Sequence, residues 1–292
     1  MQQKLLRILQ ARQECDAAVN DARARQEDVP AALMNQTHNL IQTIAFGKPS
    51  SYFELAKEQK DLQHFVHGYI QKIGTHYHLD IPVQRLPTVR YFSKPTSTLA
   101  HYDPAQNIIE INREVLMHAD VGTYIGEEIG HFLRSHFTNT IPERTFTQRV
   151  AALFSRSPQL EESTKTVNVD EFFGFTGRKL LHGASNEMDR EKLFYGREIE
   201  YDQSTDVRKL RNIRTSIHSR VLPNVAIQAQ KGQRKDILEH ARGYKHAQQL
   251  DITKVHDWKK FFQMSEGEVH KRFFRADQDY TGLQESGSFQ HS

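Results

Sequence analysis

The stretch Val121-Gly122-Thr123-Tyr124-Ile125-Gly126-Glu127-Glu128-Ile129-Gly130-His131-Phe132-Leu133-Arg134-Ser135-His136-Phe137 constrains the fold more than any other part of the chain. At about 100° per residue, Val121, Ile125, Ile129 and Phe132 form one apolar stripe, and Gly126 and Gly130 fall on the far side. A glycine inside a helix costs about 1 kcal/mol relative to alanine, so two at this spacing imply a neighbour packed close against them. The helix is therefore expected to be buried on both faces. On it Glu127 and His131, at i and i+4, stand one above the other, and Glu128 lies along the edge of the stripe. Carboxylates in such surroundings protonate, pair with a base or bind a cation. One helical turn is the spacing that lets two side chains reach the same ion, and an adjacent Glu can take a proton from water held there.

The rest of the chain frames this segment. With 292 residues, 37% of them hydrophobic and 26% charged, it can bury a real core. The single cysteine, Cys15, excludes a disulfide framework and a Cys-based zinc knuckle, which fits a reducing cytoplasm. No window approaches the roughly 20 apolar residues of a membrane span, and no signal-peptide core is seen at the N-terminus, so membrane insertion is not expected. Residues 1–75 read as helical: a first helix with one apolar turn (Leu5, Leu6, Ile8, Leu9) and a partly solvated remainder, a second opening at Pro30, and a third opening on a Ser51–Glu54 capping box. Leu55, Leu62, Phe65, Val66, Tyr69, Ile70 and Ile73 recur along the third at helical spacing, and Gly74 is its expected cap. Strand-like text follows, with Thr88 to Phe92 first and then Leu99 to Tyr102 and Ile108 to Ile111 about an Asp103-Pro104 turn, a hairpin pattern. A loop is expected at Ser155–Lys165. No P-loop, dinucleotide-binding glycine fingerprint or Gly-x-Ser-x-Gly elbow is present.

The 121–137 helix resembles the active-site helix of the zincin metallopeptidases, whose motif is H-E-x-x-H. Here it reads E-E-x-x-H: Glu127 stands in place of the first histidine ligand, Glu128 matches the general base and His131 matches the second ligand. The hairpin His101 to Asn112 is similar to the edge-strand region zincins place beside their site. The resemblance implies an α+β fold with a zincin-like core over residues 76–205, built from a small antiparallel or mixed sheet and the active-site helix. It implies a divalent metal, zinc first, and a peptide or protein substrate hydrolysed at the peptide bond. With Glu127 for a neutral histidine the ligand set is harder, and suits Mn or Fe as well as Zn. In the gluzincin branch the third ligand is a Glu on a following helix. Val169-Asp170-Glu171-Phe172-Phe173-Gly174-Phe175 matches that helix best, so Glu171 is the expected donor and Glu187 its competitor. His240 and Tyr244 share a helical face downstream, where a donor can stabilise an oxyanion. Reading Glu128-Ile129-Gly130-His131 as the E-x-x-H of a carboxylate-bridged iron protein requires a second copy, which is missing.

Charge divides the chain further. Residues 208–275 carry sixteen Lys/Arg against six Asp/Glu, a net +10 in a chain whose total is +3. Residues 206–276 are accordingly expected to form a basic helical region and 277–292 a disordered tail. The alternative function is a catalytically inactive zincin-fold protein that binds nucleic acid or an acidic partner through 208–275. His136, well around the helix from His131, is expected at the solvent or capping the helix end.

Overall fold

The computed structural model describes residues 1–28, 31–47, 52–92, 99–118, 120–138, 167–195 and 243–274. The Pro30 helix start, the Ser51–Glu54 cap, the 155–165 loop, most of the basic region with His240, and the tail after Asp277 fall outside these residues. The fold is α+β. Its elements are α1 (Gln2–Ala24), α2 (Ala31–Phe46), α3 (Tyr52–His76), β1 (Thr88–Phe92), β2 (Ala100–Asp103), β3 (Ile108–Asn112) and α4 (Val121–Phe137). They are followed by α5 (Val167–Ala184), α6 (Glu187–Phe194), a short helix α7 at 243–249, α8 (Trp258–Gln263) and α9 (Glu266–Phe273). No helix among the described residues is long and apolar enough to cross a membrane.

The expected hairpin forms, with β2 antiparallel to β3 and His101 opposite Glu110. Its turn is closed by Asp103, which accepts the Gln106 N–H at 3.0 Å, and by Asn107 at φ 48°, whose side chain accepts the Tyr102 hydroxyl at 3.1 Å. β1 pairs parallel to the other side of β3, giving the order β1-β3-β2. Asn112 donates to the Leu99 carbonyl at 2.8 Å, which makes Leu99:Asn112, and with it His101:Glu110, hydrogen-bonded pairs. Tyr102, between them, turns its own N–H away from β3. This leaves a donor on the side of β2 that packs against α4.

Helix α3 runs two residues past Gly74. Its end is a Schellman turn in which His78 takes the left-handed conformation (φ 56°) and the Leu79 N–H reaches back to the Gly74 carbonyl at 2.8 Å. Gly74 sits in the last turn rather than beyond it, where the absent side chain admits the returning Leu79 carbonyl. Helix α1 is partly solvated, as expected, with its buried side chains concentrated in the one apolar turn, of which Leu6 alone is exposed. Leu5, Ile8, Leu9 and Ala11 are buried, and the Arg12 guanidinium donates to the Met117 carbonyl at 2.9 Å. His136 is buried rather than exposed. It lies four residues after Phe132, on the core face, with its ring between Phe132 and Phe137 at centroid distances of 5.8 and 4.7 Å.

The C-terminal segment 243–274 is part of the same core, not a separate unit. Phe261 and Phe262 of α8 pack against Phe172 and Phe173 of α5 at 5.5–5.9 Å between ring centroids. Lys179, buried on α5, donates to the carbonyls of Gln248 (2.8 Å) and Leu250 (2.6 Å), which ends α7 and ties it down. Trp258, the one tryptophan, is buried beside Tyr77 and Phe261, so its fluorescence reports on this core.

A second fastening is ionic. Asp189 of α6 accepts from Lys192 (2.9 Å), the Tyr69 hydroxyl (3.0 Å) and Lys72, joining α6 to α3. Burial opposes the charge on Asp189, but the bonds from Lys72, Lys192 and Tyr69 outweigh it and hold its pKa below the usual aspartate value. A depressed folded-state pKa stabilises the fold above the unfolded-state value of about 3.9, and that stability is lost as pH falls through the folded value. Asp189→Ala is expected to cost about 3–5 kcal/mol at pH 7, because the Lys192 ammonium, whose side chain is only 2% exposed, would be left buried and unpaired. Urea titrations at pH 7 and pH 3 check this: the gap between wild type and variant should shrink at the lower pH.

Candidate metal centre

The glycines of α4 find their neighbour in α5. Cβ atoms added at Gly126 or Gly130 would come within 2.7 Å of Arg178 Cα and 2.6 Å of the Gly174 carbonyl, and one at Gly177 would overlap the backbone of Gly126 and Gly130. Further along, Gly122 lies against Phe194 and Leu193 of α6. The α4 and α5 backbones are thus in direct contact, and side chains flanking the seam from opposite helices are forced into one small volume. Those side chains are Glu127 and His131 from α4 and Glu171 from α5.

One donor atom from each of Glu127, His131 and Glu171 lies within 4.8 Å of the other two. His131 Nε2 is 4.0 Å from Glu171 Oε2, and all three side chains are nearly covered. The other imidazole nitrogen, Nδ1, faces Asp170 Oδ2 at 3.4 Å, so a carboxylate stands behind the candidate ligand and orients its ring. Donor atoms on one tetrahedral zinc at about 2.1 Å stand about 3.4 Å apart. The three donors stand further apart than that, within 4.8 Å, so a shared ion would require the side chains to draw together by roughly 1 Å.

The titratable groups of the cluster are strongly perturbed. Glu128 is 6% exposed, and burial, with Glu127 beside it, pushes its pKa up to about 8 against the opposing pull of His131, Arg178 and the Tyr102 N–H. That N–H is the donor left on β2, and it places Glu128 between the strand and the two candidate ligands of its own helix. Glu171 is raised well above the ordinary value by burial and then by Glu127, Asp170 and Glu128. Burial works against a charged His131, but Asp170, Glu171 and Glu128 overcome it and raise its pKa well above the usual range. Burial is the larger cause for both carboxyls and neighbouring acid the smaller one, and positive charge placed beside them would oppose both.

Of the other expected residues, Glu187 does not join the group; it is exposed in the first turn of α6. Tyr244 packs edge-on against Phe175 at 4.8 Å and accepts a hydrogen bond from Gln248 at 2.9 Å. Three residues of the site are not signalled by the E-E-x-x-H spacing. Asp170 orients His131. Arg178, seven residues after Glu171 and so on the same face of α5, forms an ion pair with Glu127 while its guanidinium lies 4.2 Å above the Phe175 ring. His101 on β2 has a buried Nε2 with no hydrogen-bond partner among the described residues, and burial together with nearby His131 lowers its pKa. Arg178 shares the wheel face of α5 with Glu171, whereas His101 is brought near only by the strand register.

Comparison with protein-family profiles, with curated proteins and with solved structures finds no match to this chain.

Proposed function

We propose that this chain is a metal-dependent hydrolase acting on peptide bonds, with a zincin-like core in which Glu127, His131 and Glu171 hold a divalent ion. The observation that carries the proposal is the convergence of these three donors across a helix crossing whose glycines leave the backbones in contact. When bound, the ion would polarise a substrate carbonyl and acidify a water molecule. Glu128 would accept a proton from the water whose oxygen bonds to the carbonyl carbon, and would return it to the amine nitrogen as the C–N bond breaks. Asp170 keeps the His131 ring turned so that Nε2 points at the other donors, and the Tyr102 N–H holds the Glu128 carboxyl in place. The variant donor set accepts zinc, and its extra carboxylate also suits Mn or Fe. The single cysteine agrees with work in a reducing cytoplasm.

Metal analysis of untagged protein tests this reading. About one equivalent of Zn, Mn or Fe is expected in the wild type, and its loss in His131→Ala and in Glu171→Ala. Wild-type protein that stays metal-free after dialysis against each ion in turn sinks the proposal. In that case the acids serve as a buried ion-pair network, a reading favoured by the Arg178–Glu127 and His131–Asp170 pairs.

A further inference from the structure

Arg178 stands on the face of α5 that carries Glu171 and Gly174, and its guanidinium occupies the place beside Glu127 where positive charge is wanted. Both partners are largely shielded, at 15% and 12% side-chain exposure, so their attraction is little screened by water. We infer that Arg178 is the resident counter-ion of the site, that an incoming metal must displace it from Glu127, and that this exchange sets the affinity and restricts the site to divalent ions. The inference rests on the metal reading above. A monovalent cation offers Glu127 no more charge than the guanidinium does and lacks its directed N–H donors. A dication offers twice the charge and is also held by His131 and Glu171. The displaced guanidinium keeps a resting place, because the Phe175 ring lies under it and Tyr244 packs edge-on against that ring.

Titration of the full chain with ZnCl2, followed by calorimetry and by thermal melting, tests the exchange in wild type and Arg178→Met. Removing a positive charge a few ångströms from a dication should tighten zinc binding about tenfold or more. Without metal the variant should melt below wild type, since Glu127 has lost its partner, and zinc should raise its Tm by more than it raises that of wild type. A variant that folds only in the presence of zinc gives the same support. If it folds in neither state, Arg178→Gln, neutral but still able to donate to Glu127, carries the same expected tightening. Zinc binding to wild type with equal or weaker binding to the neutral variants overturns the exchange alone, and shows that Arg178 positions Glu127. Absence of zinc binding in both overturns the metal reading and the exchange with it.

Discussion

Glu128→Gln is expected to lower peptide hydrolysis by about 10²–10⁴-fold while leaving the bound metal and the fold in place. The size is that of removing a positioned general base. The fold should survive because Glu128 already tends toward its protonated form in the metal-free protein, with a pKa near 8, and a neutral amide is close to it in shape. The Gln carbonyl can also accept the Tyr102 N–H, so no buried donor is orphaned. Steady-state kinetics on a peptide library, read with metal content on the same preparation, separate the outcomes. Full activity in the variant removes Glu128 from the chemistry, and loss of the metal together with activity makes it a ligand instead.

Gly177→Ala is expected to destabilise the protein by about 3 kcal/mol or more, against the usual effect of the change. In an open helix the replacement gains roughly 1 kcal/mol from propensity. At Gly177 the added methyl overlaps the Gly126 carbonyl and the Gly130 backbone, which have no rotamer by which to move aside, so α4 and α5 must separate. Overpacking of this kind costs about 1–3 kcal/mol where side chains can adjust, and more where only backbone can yield. Gly68 of α3 is the control: nothing lies within 4 Å of its would-be Cβ, and Gly68→Ala should be neutral or stabilising by up to about 1 kcal/mol. Urea unfolding followed by Trp258 fluorescence measures both. Zinc affinity should fall in Gly177→Ala in parallel, because separating the helices draws Glu171 from Glu127 and His131. A neutral Gly177→Ala would mean that the helix seam does not set the spacing of the donors.

Much of the centre was legible from local spacing. The stripe Val121, Ile125, Ile129 and Phe132 is buried to 1% exposure or less, and the two glycines of the opposite face do meet a close neighbour. The hairpin at 100–112 forms because Asp103 and Asn107 have the turn chemistry their positions require. Less legible were elements whose environment comes from distant parts of the chain. On α1 the apolar turn Leu5, Ile8 and Leu9 is buried as its pattern implies, but the Arg12 contact with the Met117 carbonyl is not visible in that pattern. His136 sits in the core because it follows Phe132 by one turn, which outweighed its polarity.

Sequence alone determined what one helix or one hairpin can specify, since hydrogen bonding within a few residues sets those distances whatever the surroundings: Glu127 and His131 one above the other, Glu128 beside them along the edge of the stripe, and a β-turn upstream. Tertiary structure alone decided which carboxylate crosses to complete the group, bringing Glu171 in and leaving Glu187 at the surface. It also decided that Asp170 stands behind His131 and that Arg178 pairs with Glu127. Those outcomes depend on how closely and at what register α4 and α5 meet, and that is fixed by the steric fit of Gly126 and Gly130 against Gly174 and Gly177, about fifty residues away in the chain.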